Sequence, residues 1–98
     1  MKQILVIGRH EQIMQTVLKL INKQEAYHAI GCLLDEDAKQ ILLSQHIDLV
    51  LIGGGVEQES EQAIRQFVAS NSLECKVIQH FGGGSGLLFN EIQQALDN

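Results

Sequence analysis

Two periods of apolar residues alternate along the chain. Residues 3 to 8, QILVIG, are an unbroken run of aliphatic and β-branched side chains ending in glycine, a pattern that fits a strand buried on both faces. In HEQIMQTVLKLINK the residues Ile13, Met14, Val17, Leu18, Leu20 and Ile21 recur every three or four positions, which predicts a helix with one stripe against a core. The cycle then repeats. YHAIGCLL (27–34) reads as a strand, and DEDAKQILLSQ as a shorter helix with Asp35 as its N-cap and Ala38, Ile41 and Leu42 facing inward. HIDLVLIGGG (46–55) is the clearest buried strand. From Val56 to Asn71 the residues Ser60, Ile64, Phe67 and Val68 share a helical face, and ECKVIQHF and SGLLFNEIQQAL complete the series, with Leu88, Ile92, Ala95 and Leu96 as the last inward stripe.

Four strands alternating with four helices through short loops predict an α/β fold: a three-layer sandwich around a four-stranded parallel sheet. Right-handed crossovers favour the strand order 2-1-3-4 with two helices on each face, the first and last sharing one face and the second and third the other. No repeat, linker, low-complexity tract or proline divides the sequence, so residues 1–98 are expected to form one domain.

Composition narrows the function. At 98 residues and 45% hydrophobic content, a single core is expected, burying roughly 60 to 65% of the unfolded surface. A net charge of −5 with only seven Lys and Arg argues against nucleic-acid binding by bulk electrostatics. MKQILVIGRHE carries a short apolar run followed at once by charge, which predicts neither a signal peptide nor a membrane span and points to the cytoplasm. Cys32 and Cys75 fall on the two edge strands of the expected sheet, about 14 Å apart. That is beyond disulfide reach, so both are expected to be reduced.

Open parallel sheets bind ligands at the carboxyl ends of their strands, where strand order reverses, here between strands one and three. The expected lining is Gly8, Arg9 and His10 after strand one and Gly53, Gly54 and Gly55 after strand three. His80, Gly82, Gly83, Gly84, Ser85 and Gly86 arrive from strand four. His28 and His46 fall at the opposite end. The first three helices carry acidic residues in their opening turns, whereas none lies between Phe81 and Asn90. Helix N-termini attract anions, so GGGSG is a candidate cradle for a small anionic ligand, although it could equally serve as a turn. Arg9 offers a forked donor for a carboxylate or phosphate, or a partner for Glu11 or Glu57. His10 and His80 are candidates for proton transfer or ligand contact.

The succession of short strands and helices resembles the flavodoxin-like and Rossmann-like domains, in particular a trimmed response-regulator receiver. A receiver carries an acidic pair after strand one, where this chain has Arg9 and His10, and a phosphorylated aspartate at the end of strand three, where it has Gly53. The fifth strand and lysine loop of a receiver have no counterpart, so phosphoryl-acceptor chemistry is not implied. A dinucleotide-binding turn would need GxGxxG; Gly8 fills its first position, but His10 and Ile13 stand at the second and third. No motif identifies a cofactor or a metal site. The sequence therefore predicts a small cytosolic binding or regulatory domain. Its alternatives are a minimal enzyme using His10 or His80 as acid or base, and a domain that only self-associates, as a homodimer, through an edge strand.

Overall fold

The two faces of the first strand are claimed by different helices. In β1 (Lys2–Ile7) Ile4 and Val6 point one way and Leu5 and Ile7 the other, and all four are buried. In β3 (Leu49–Ile52) Leu49 and Leu51 join the first pair, while Val50 and Ile52 join the second. An alternating backbone that buries both faces leaves no polar position, and this is why the two runs are uninterrupted.

The computed structural model describes residues 1–80 and 85–97, the side chains of residues 85 and 86 excepted. Besides β1 and β3 it contains β2 (Tyr27–Cys32) and β4 (Lys76–Gln79), with α1 (Glu11–Asn22), α2 (Asp35–Ser44), α3 (Gln58–Ser70) and α4 (Ser85–Asp97). The strands pair in parallel in the order β2-β1-β3-β4, with Ile7 beside Cys32 on one side and Ile52 on the other. Met14 and Ile21 of α1 and Leu88, Ile92 and Ala95 of α4 cover one face of this sheet. Ala38 and Leu42 of α2 and Ile64 and Val68 of α3 cover the other. The expected α/β sandwich and strand order are both present.

The strands are shorter than the apolar runs that announce them. β3 ends at Ile52, and after the bond from the Gly53 amide to Ile7 O the residues 54 and 55 leave the ladder; β2 stops at Cys32 before Leu33 and Leu34. Ile13, expected on the inward stripe of α1, is 62% exposed, since Met14 and Ile21 already define the buried side. The packing of α1 on β2 depends on Gly31, where a Cβ would lie 2.5 Å from Met14 Sδ and 3.0 Å from Leu18 Cδ1. There the glycine admits a helix rather than a turn.

α3 ends through its own backbone chemistry. Ser72 lies at φ 54°, in the left-handed region that favours glycine. The Ser72 amide donates to Ala69 O at 3.2 Å and the Leu73 amide to Val68 O at 3.0 Å, the two bonds of a Schellman ending, while Leu73 packs against the core beside Val68. At the amino end of the sheet, Asp48 Oδ2 accepts from the Gln3 amide at 2.8 Å, and Asp48 Oδ1 lies 2.8 Å from His46 Nε2. His28 Nδ1 meets Gln3 Oε1 at 2.9 Å. Both histidines thus stand at the end away from the candidate site. Cys32 is buried, Cys75 half-buried, and both are free thiols. Burial, reinforced by Asp37 and Asp35, pushes the Cys32 thiol up to about 11. No described helix is long and apolar enough to cross a membrane.

Candidate functional site

After β1 the chain turns toward α1 on one face, and after β3 it turns toward α3 on the other. The two loops part at the carboxyl ends of neighbouring strands, and this opens the crevice. Gly53 is where they stay closest. Its amide donates to Ile7 O at 2.8 Å, and a Cβ there would sit 3.2 Å from the same oxygen. Gly54 and Gly55 have more room, since their added Cβ atoms would come no nearer than 3.8 Å to His80 O and 3.7 Å to His10 Cδ2, respectively. Neither has a positive φ. Turn geometry therefore does not demand glycine at 54 or 55; what glycine does there is leave the backbone bare at the mouth of the crevice.

Beneath that mouth lies a cavity of about 640 Å³, within the range of small-molecule sites. Gly8, Arg9, His10, Gly53, Gly54, Gly55 and His80 all line it, so the structure brings together every sequence-predicted site residue up to residue 80. Gly82, Gly83 and Gly84 lie outside the described residues. Ser85 and Gly86 open α4, and their side chains also lie outside the described set. The rest of the wall is largely apolar, built by Met14, Val17 and Leu20 of α1, Leu88 of α4 and the strand residues Val6 and Leu51. On the opposite face of the sheet α2 and α3 also pack on one another.

Arg9 borders the cavity, but its charge is directed elsewhere. Its Nη2 lies 2.8 Å from Asp35 Oδ1 and 3.1 Å from Ser60 Oγ, its Nε donates to Glu57 Oε1 at 3.1 Å, and its Nη1 donates to Leu33 O at 2.7 Å. Pairing with Glu57 is one of the two arrangements the sequence left open, and the second carboxylate is that of Asp35 rather than Glu11. Asp35 is correspondingly not a capping residue. Leu34 is the N-cap of α2, Asp35 is its first helical residue, and the charge-assisted bond to Arg9 takes the carboxylate that capping would have used. Burial alone would raise the Asp35 carboxyl, but the Ser60 hydroxyl and the Arg9 guanidinium outweigh it and hold that carboxyl below its ordinary 3.8. The hydrogen bond from Arg9 likewise holds Glu57 below its ordinary 4.5. Arg9 is pushed upward in return, first by Asp35 and then by Glu57.

His80, just past β4, is oriented from α4. Its Nδ1 stands 2.6 Å from Glu91 Oε1, with side chains only 15% and 18% exposed. With a proton on Nδ1 donated to Glu91, Nε2 is the ring atom left for other chemistry, and no described residue hydrogen-bonds to it. Glu91 was not singled out from the sequence; it lies eleven residues on, and no local spacing marks the pair. His10, at the N-cap of α1, makes no side-chain capping bond. Among the described residues, no group of three His, Cys, Asp or Glu side chains is placed to share a metal ion.

No family model matches the sequence, and no curated protein matches it. Among solved structures the chain is similar to a fusion of the yeast Spc42 trimeric coiled coil, amino acids 181–211, with another protein. The TM-score is 0.70 at 18% sequence identity, covering 98% of this chain and 79% of that one. A coiled coil has no sheet, so at this identity the likeness shows the fold alone: a small α/β domain with a parallel four-stranded sheet.

Proposed function

We propose that this chain is a small cytosolic binding or regulatory domain that holds an anionic ligand at the carboxyl edge of its sheet, between the ends of β1 and β3. The observation that carries the reading is the convergence of Gly53, Gly54, Gly55 and His80 on one cavity where strand order reverses. The mouth of this cavity is rich in donors. The amides of Gly54 and Gly55 make no hydrogen bond to another described residue, and neither carries a side chain that would keep a ligand away. Arg9 serves the architecture in this reading, tying β1 to the ends of β2, α2 and α3. Two free thiols fit a reducing compartment.

Gly54→Asp is the direct test. A Cβ at Gly54 would meet nothing nearer than His80 O at 3.8 Å, and a carboxylate there would occupy the position of the ligand's charge. Melting temperatures of wild type and variant are measured against phosphate, sulfate and acetate, with sodium chloride matched for ionic strength. The reading expects an anion-specific rise in wild type that the folded variant loses. No rise with any of the three anions, or a rise kept in full by the variant, contradicts it.

A second reading, acid–base catalysis, is favoured by the His80–Glu91 hydrogen bond, since a carboxylate that fixes the tautomer leaves Nε2 to exchange a proton with a substrate. Product formation that His80→Gln abolishes would establish it. Ligand binding with no product under any pH near neutrality would exclude it.

A further inference from the structure

The anion-site reading leaves open what the apolar half of the cavity is for. Its apolar lining includes Met14, Val17 and Leu20 on α1 and Leu88 on α4, beside the polar Gln12 and Thr16. A bare inorganic ion would leave that surface wet. The charge of the ligand is also restricted. Among the described lining residues Arg9 is the one permanent cation, and its guanidinium is engaged by Asp35, Glu57, Ser60 and the Leu33 carbonyl. Behind His80 stands the Glu91 carboxylate, 2.6 Å away. A dianion would thus enter a region whose fixed charges repel it, with only backbone amides to compensate. A single carboxylate requires much less, and its oxygens match the N–H groups of Gly54 and Gly55, unpaired among the described residues.

We infer that the cavity takes a monocarboxylic acid with an apolar body: the carboxylate meets the Gly54 and Gly55 amides, and the hydrocarbon lies between α1 and α4 over Val17, Leu20 and Leu88. At about 640 Å³ the cavity has room for a body of about six to ten carbon atoms, since sites of about 300 to 1,000 Å³ hold drug-sized ligands. Every group invoked belongs to the described residues, and the inference rests on the anion-site reading above.

Octanoate, acetate, octanol and inorganic phosphate serve as probes, titrated calorimetrically at matched ionic strength. Octanoate is expected to bind at least about tenfold more tightly than acetate, because several methylenes leave water. It is also expected to bind more tightly than octanol, which lacks the charge. Leu20→Asp, at a half-buried position on the cavity wall, should bring octanoate down to the affinity of acetate. Gly54→Asp should weaken both acids and leave octanol unchanged. If Leu20→Asp fails to fold by circular dichroism, Val17→Thr replaces it, with a smaller loss expected in the same direction. Octanoate binding no tighter than acetate, octanol binding as tightly as octanoate, or octanoate affinity unaltered in the folded variants would each overturn the inference. If phosphate or acetate acts in a Gly54-dependent manner while octanoate gains nothing, the inference falls and the anion site stands. If no anion acts, both fall.

Discussion

Arg9 Nη2 and Asp35 Oδ1 meet at 2.8 Å across the carboxyl ends of β1 and β2, with side chains 23% and 27% exposed. The bond joins the loop after one strand to the first turn of α2, and Glu57 and Ser60 bring the start of α3 to the same guanidinium. The ends of β1 and β2 and the starts of α2 and α3 are thereby fixed around one side chain, and the neighbouring crevice keeps its shape without having to use that charge.

This arrangement predicts that Asp35→Asn and Arg9→Gln each destabilise the fold. For Asp35→Asn the loss should be about 1 to 2 kcal/mol, as expected when one partner of a partly covered ion pair is removed. Because the two residues share a bond, the double variant should lose less than the sum, with a coupling of about 0.5 to 1 kcal/mol. Urea unfolding of the four proteins measures both quantities. Strict additivity would show that the pair is held in place by other contacts. Arg9→Gln should still respond to anions, since its guanidinium is not part of the proposed mouth.

Stability should fall in acid. In Asp48, burial opposes the charge, but the Gln3 amide and His46 outweigh it and hold the carboxyl below its ordinary 3.8. Asp35 and Glu57 are also lowered. A carboxylate whose folded value lies below its unfolded one contributes stability that is complete above the unfolded value, about 4 for these groups. That contribution is lost as pH drops through the folded value. Denaturant midpoints should therefore hold between pH 7 and 5 as far as these three groups govern them, and decline from about pH 4 downward. Asp48→Asn and Asp35→Asn should each flatten part of the decline. An acid limb unchanged in both would remove these residues from its cause.

Ser72→Gly should stabilise the protein. Ser72 bears the left-handed backbone at the end of α3, a conformation costing an L-residue about 1 to 2 kcal/mol. Glycine avoids that cost but loses more entropy on folding, for a net gain of about 0.5 to 1 kcal/mol. For a domain of this size the rise in Tm should be about 2 to 8 °C. A lower Tm would mean that the serine side chain contributes more than its backbone strain removes.

The layers were legible because burial on both faces of a strand leaves no polar residue. LVLI at 49–52 and ILVI at 4–7 could hardly be read otherwise, and crossover handedness then orders the strands. The edge of the site was legible for the same reason, since topology fixes which loops meet at the carboxyl end. Side-chain partners were less so. Asp35 at the start of a helix reads as a cap, and nothing local shows that Arg9, 26 residues earlier, draws its carboxylate away. Glu91 reads as one more exposed acid on an amphipathic helix until α4 is laid against β4 and its carboxylate meets His80. Such pairs depend on the distance between elements, and sequence spacing does not encode it.

The central claim is the place of the site, and amide proton–nitrogen correlation spectra of the labelled full chain test it most directly. Phosphate, acetate and octanoate are added in turn at constant ionic strength. The account predicts that any anion giving a saturable response moves the amides of Gly54, Gly55 and His80 most, together with Gly8 on the facing loop. Saturable shifts centred instead on His28 and His46 at the opposite end of the sheet, or no saturable shift with any of the three anions, would contradict it.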